Sequence, residues 1–216
     1  MASAGADLTA LYHTLQKPVD SRLAEFAALW EHGGDRALWR EMCFCTCTPQ
    51  NDAKKADASA ASLDAAGLLE SGAQNKIAYV LRANGVRFHN NKAASIFANR
   101  QVFYPRTKHH LQNIISSGTI FHARALLAET VCGWGLKEAS HFLRNTGWGG
   151  ELCILDRHIL RSLAAHNVIA GIPKNLNAKT YAAIEAAMTA FAKELRIPLA
   201  ALDLVFWYQA KGELFK

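Results

Sequence analysis

The 216-residue chain is half apolar and only 19% charged, which excludes a largely disordered protein and supplies enough apolar material for one large domain or two small lobes. Its 24 Lys and Arg against 18 Asp and Glu leave a net charge of +6, a field that favours polyanions, nucleic acid among them, without identifying a partner. No run of about 18 apolar residues is present to span a bilayer, and the first seventeen residues lack the basic start and continuous apolar stretch of a secretion signal, so the expected location is intracellular, in the cytoplasm or nucleoid.

Helical periodicity dominates and alternating β-branched patterns are nearly absent, so the expected fold class is all-α. Asp20 and Ser21 are placed to cap a helix in which Leu23, Phe26, Ala27 and Trp30 recur at three- and four-residue intervals, with Gly33-Gly34 ending it. A second helix is expected from about Asp35 through Leu38, Trp39 and Met42. Cys43, Cys45 and Cys47 alternate in a spacing that suits neither zinc pairs nor a disulfide framework, so the five cysteines read as free, mostly buried thiols. The turn formers Thr48-Pro49-Gln50-Asn51-Asp52 interrupt the apolar run before an Ala-rich helix over 53–69. Further helices are predicted over 74–83, stopped by Asn84-Gly85, over 91–99, and over 107–117, stopped by Gly118.

Residues 119–131 form a helical pattern with Ile120, Ala123, Leu126, Leu127 and Val131 on one face, ending abruptly in Cys132-Gly133-Trp134-Gly135. A second helix begins at once with Leu136-Lys137-Glu138-Ala139 and runs to Thr146-Gly147. Two glycines one residue apart allow a tight turn and leave the first amides of the second helix facing outward, where they and the helix dipole can hold a phosphate; a plain corner between helices fits the same residues. Lys137 follows Gly135 by two residues, in a first turn whose positive dipole end disfavours an ammonium. Partly desolvated there, it can act as a nucleophilic amine; a solvated surface lysine is the alternative.

In Ile154-Leu155-Asp156-Arg157-His158-Ile159-Leu160 the aspartate lies between an apolar approach and a helix predicted over 155–166, which makes it an N-cap. A carboxylate held by amides stays ionised and could also stabilise a cationic sugar as a glycosidic bond breaks. After a Pro-containing link at Ile172-Pro173, helices over 177–196 and 198–210 complete the chain.

The stretch Val131-Cys132-Gly133-Trp134-Gly135-Leu136-Lys137 resembles the hairpin of the helix-hairpin-helix DNA glycosylases, and Asp156, 19 residues after Lys137, falls at the spacing of that superfamily's aspartate. Lys137 to Asn145, together with Ile154 to Leu160, is similar to the compact archaeal-type 8-oxoguanine DNA glycosylase/AP lyases, which lack the extra β-domain of their eukaryotic relatives. No four-cysteine iron–sulfur signature is present near the C-terminus, which argues against the endonuclease-III branch.

The resemblance implies a helix-hairpin-helix glycosylase fold of two interleaved helical lobes with the active site in the cleft between them, the hairpin occupying about 119–147. It implies Lys137 as nucleophile and Asp156 as its charged partner. Trp207 is implied to stack on a flipped base, and the final Lys216 to help distinguish the oxidised purine. Gly133, Trp134 and Gly135 are expected on DNA, with Arg157 and His158 beside them. Gln50 and Asn51, in the loop after the second helix, fit the gap left by the flipped base, and Arg87 and Phe88 lie in a basic stretch similar to one in the family. The expected partner is double-stranded DNA containing 8-oxoguanine or abasic sites, bound by a monomer that requires no metal or organic cofactor. Removal of another damaged base by the same machinery, and a non-catalytic DNA-binding module, are the alternatives.

Overall fold

The computed structural model describes residues 2–215, with side chains from Gly5 onward, and among these it is all helix and loop, with no strand. The helices are α1 (Ala2–His32), α2 (Gly34–Cys47), α3 (Ala53–Ala65), α4 (Leu68–Ser71), α5 (Gln74–Ala83), α6 (His89–Phe103), α7 (Thr107–Ile115), α8 (Ile120–Thr130), α9 (Leu136–Asn145), α10 (Arg157–Ala165), α11 (Ala178–Leu195) and α12 (Leu199–Lys211).

Two sequence expectations change. The first helix does not begin at Asp20 but runs unbroken through Pro18. Leu8, Tyr12, Leu15 and Val19 form a buried stripe on its N-terminal half. Each buried apolar side chain contributes roughly 1.5–3 kcal/mol, and together they outweigh the ~3 kcal/mol that an interior proline costs. The helix expected over 53–69 is instead divided at Gly67, whose φ of +65° lies in the left-handed region.

Two buried apolar clusters organise the helices. One is built from α2 to α9, with Trp39, Phe44, Leu63, Ile77, Phe103, Leu127 and Phe142 at its centre. The other joins the N-terminal helix to the last three: Leu8, Val19 and Phe26 of α1 meet Leu163, Tyr181, Met188 and Phe206. The chain therefore leaves the second cluster after α1 and returns to it after α9, which sets the hairpin and the segment leading to Asp156 against each other. Cys43, Cys45, Cys47 and Cys153 are buried free thiols and Cys132 is exposed; burial pushes the Cys47 thiol up to about 12, slightly offset by Lys92.

One polar network crosses between the clusters. Arg124 of α8 donates to both carboxylate oxygens of Glu185 on α11, at 2.6 and 2.9 Å, with both side chains buried. Glu185 also accepts from the Cys153 amide at 2.8 Å, and the Tyr181 hydroxyl donates to the Cys153 carbonyl at 2.6 Å. Truncating one member leaves the other charge buried and unpaired. Arg124→Ala is therefore expected to lower the free energy of unfolding by about 3–5 kcal/mol, measured by urea denaturation.

Candidate active site

The turn between α8 and α9 is fixed from three sides. Asn99 of α6 accepts from the Cys132 amide at 2.8 Å and donates to the Cys132 carbonyl at 3.0 Å. The Trp134 indole points inward, buried, donates to Thr46 Oγ1 at 2.9 Å and packs beside Phe142. Any contact Trp134 makes with a ligand thus falls to its backbone. Gly133 and Gly135 are exposed on the outer side of the turn.

The two glycines are not equivalent, although the sequence presents them as a pair. Gly133 has φ +84°, and a Cβ there would lie 2.7 Å from Ser95 Oγ, whereas Gly135 is extended with its nearest neighbour to such a Cβ at 3.6 Å. Gly133→Ala is expected to cost about 1–3 kcal/mol in denaturant unfolding, and Gly135→Ala less than about 0.5 kcal/mol. Nor does every first-turn amide face outward: the Gly135 amide donates to Glu138 Oε2 at 3.2 Å, as a glutamate at the third helical position commonly arranges.

Lys137, in the first turn of α9, is partly buried. Its Nζ lies 2.7 Å from Glu138 Oε1 and 3.5 Å from Thr48 Oγ1. The Thr48 hydroxyl donates to the Cys45 carbonyl at 2.8 Å, so it faces the lysine as an acceptor. Behind this loop, the buried Lys92 ammonium donates to the carbonyls of Cys47 and Pro49 at 2.7 and 2.8 Å and holds the end of α2 in place. Burial is the main cause lowering the Lys92 pKa from its ordinary value, with Cys47 opposing and Lys137 adding to the shift.

Asp156 is the N-cap of α10, its Oδ1 accepting from the amides of His158 at 2.8 Å and Ile159 at 2.9 Å. That helix starts at Arg157 rather than Leu155, the Cys153 and Leu155 amides before it being held by Glu185 and the Tyr181 hydroxyl. The cap engages one oxygen of the carboxylate. Lys137 and Asp156 both line a cleft of about 970 Å3, and Gln50, Asn51, Arg157, His158 and Trp207 line it too.

Trp207 of α12 forms part of the far wall, edge-to-face with His158 at 5.5 Å between ring centres and with the Lys211 ammonium 5.7 Å from its ring. Its Nε1 and the Nδ2 of Asn51 are buried without a hydrogen-bond partner, an unusual cost that fits a surface prepared for a ligand. Deeper in the wall, Arg144 Nη1 lies 3.4 Å from Asp203 Oδ2. Burial pushes the Asp203 carboxyl up to about 6, with Arg144 pulling it down and Asp156 adding to the rise.

The cleft therefore collects most of the residues singled out from the sequence. Gln50 is exposed at its lip in the left-handed region, φ +54°; Arg87, which also lines the cleft, stacks its guanidinium 5.5 Å from the exposed Phe88 ring. Lys216 lies outside the described residues. Sequence reasoning missed Glu138, although its place three residues after a helix cap is a recognisable signal. It also missed Lys92, Arg144 and Asp203, which carry no local signal because each meets its partner only across the fold.

Comparison with known proteins points to one family. A family model described as 8-oxoguanine DNA glycosylase matches residues 19–197. The 8-oxoguanine DNA glycosylase/AP lyase of Fusobacterium nucleatum is 33% identical over 211 residues, covering 97% of this chain and 96% of its own. The crystal structure of the 8-oxoguanine DNA glycosylase of Thermotoga maritima superposes with a TM-score of 0.89 at 30% identity, covering all of both chains. That of the Methanocaldococcus jannaschii 8-oxoguanine glycosylase/lyase, in complex with a 15mer DNA containing 8-oxoguanine, gives 0.86 at 29% identity and covers 97% of this chain and 99% of its own.

Proposed function

Because the chain belongs to the 8-oxoguanine DNA glycosylase family, we propose that its cleft is the active site of a bifunctional repair enzyme that excises 8-oxoguanine from duplex DNA and nicks the abasic product. The observation that carries this reading is the meeting of Lys137, Asp156 and Trp207 in one cleft. Those residues stand 70 positions apart at the extremes and come from three separate helix starts and faces, α9, α10 and α12.

In this reading the hairpin turn, exposed at Gly133 and Gly135, holds a phosphate next to the lesion, with Arg157 and His158 alongside, and binding is salt-sensitive but indifferent to sequence. The damaged nucleotide turns out of the stack and its base lies against Trp207, an interaction worth about 1–3 kcal/mol. Gln50 and Asn51, each able to donate and accept, occupy the gap and satisfy the orphaned partner base. Lys216 is assigned the contact that distinguishes the oxidised purine. The two apolar clusters are the cores of two lobes of a single monomeric domain.

Chemistry begins when the Lys137 amine forms a bond to C1′ as the C1′–N9 bond breaks and its electron pair leaves with the base. The Asp156 carboxylate offsets the positive charge that develops on the sugar. The sugar ring opens to a lysine imine, loses a C2′ proton, and expels the 3′ phosphate by β-elimination.

The test is borohydride trapping on duplexes carrying one 8-oxoguanine, one abasic site or no lesion. A covalent adduct on the first two and none on the third is expected. Trapping on the abasic duplex alone would move the substrate to another damaged base, and trapping on neither would overturn the lysine chemistry.

A further inference from the structure

To attack as a neutral amine, Lys137 must first give up the proton that its ammonium carries. Glu138 lies where a group to receive it is needed. Its Oε1 is 2.7 Å from Lys137 Nζ, while Oε2 accepts from the Gly135 amide at 3.2 Å, and the residue is only 8% exposed. One oxygen is thus anchored to the hairpin backbone and the other is directed at the reacting nitrogen, with little water to compete.

Glu138 is the carboxylate in ion-pair contact with Nζ. Thr48 donates to a backbone carbonyl. Asp156 caps α10 through one oxygen and is assigned the charge on the sugar, and Asp203 is paired with Arg144. Lys92 of α6 adds positive charge that acts on both Lys137 and Glu138.

Resting on the assignment of Lys137 as nucleophile, we propose that Glu138 is a catalytic residue, the proton acceptor that frees the amine. One N–H bond of the ammonium breaks, an O–H bond forms at Oε1, and the electron pair left on Nζ attacks C1′. A glutamate serving only as a helix cap needs just the oxygen on Gly135. A carboxylate serving only as a counter-charge holds the ammonium and opposes attack. These roles give different results in one variant, Glu138→Gln, whose amide oxygen can keep the Gly135 bond while its NH2 group cannot take a proton.

Single-turnover trapping and excision on an 8-oxoguanine duplex are followed from neutral to alkaline pH, with Lys92 and the cleft-lining Arg87, His141, Arg144, Asp156 and Asp203 left in place. At neutral pH Glu138→Gln is expected to be about 10²–10⁴-fold slower than the wild-type protein. The rate should recover as pH rises and the lysine sheds its proton to solvent, with duplex affinity and melting temperature little changed. Glu138→Asp, which keeps the base but shortens its reach, should restore part of the neutral-pH rate. A wild-type rate in Glu138→Gln, or a faster one, overturns the proposal, as does slowing that no alkaline pH relieves. Wild-type protein on the same duplex separates the two levels: absence of its adduct sinks the lysine assignment, whereas a normal adduct beside an unimpaired variant sinks the role of Glu138 alone.

Discussion

Lys137→Gln is expected to yield no borohydride-trapped adduct and to excise 8-oxoguanine at least about a thousandfold more slowly, the scale on which loss of a covalent nucleophile is felt. Glutamine is one bond shorter than lysine but remains a polar, uncharged group of similar width, so the wall of the cleft should be largely preserved. The ion pair lost with Glu138 is mostly buried, and leaving the glutamate without it should lower stability by about 1–3 kcal/mol. Affinity for the 8-oxoguanine duplex is expected to stay within a few-fold, because the hairpin backbone and Trp207 are untouched. Binding retained with chemistry lost is what separates an enzyme from a module that only grips DNA. Adduct formation by the variant would mean that another amine is the nucleophile, with Lys55 and Lys211, which also line the cleft, the first to replace.

Asp156→Asn isolates charge from capping. The asparagine side-chain oxygen can accept the same bonds from His158 and Ile159, and asparagine is as good an N-cap as aspartate, so the unfolding midpoint should barely move. What disappears is the negative charge that the proposed mechanism sets against the sugar. Excision is then expected to slow by roughly 10²–10³-fold, the range measured when one preorganised stabilising group is removed from an active site. Asp156→Ala should show the same loss of rate together with a further stability loss of about 0.5–2 kcal/mol from the empty cap. If Asp156→Asn kept the full rate and only Asp156→Ala were slow, the residue would be a helix cap whose contribution to chemistry is purely positional.

The physical range of each interaction explains how much of this was legible in the sequence. Helix starts at Ile120, Leu136 and Ala178, and the cap at Asp156, follow from side chains and backbone groups within three or four residues of one another, which a linear pattern records directly. The first helix misled because a polar Asp20-Ser21 pair after Pro18 is a sound local stop, and only the burial of Leu8, Tyr12, Leu15 and Val19 against distant helices overrides it. Trp134 illustrates the same division. Its place in the hairpin suggested a contact with DNA, but the indole is drawn into the core by Thr46, 88 residues earlier.

The sequence by itself determined the all-helical class, the hairpin, the place of Lys137 in the first turn after it and the cap at Asp156, since periodicity, glycine placement and capping are properties of neighbouring residues. Tertiary structure alone decided that Gly133 and not Gly135 needs to be glycine, that Lys92 braces the loop opposite the lysine, and that Arg144 meets Asp203 behind the cleft. The polar partners there come from separate helices, and their alignment is set by how two apolar cores pack against each other, information that no window of adjacent residues contains.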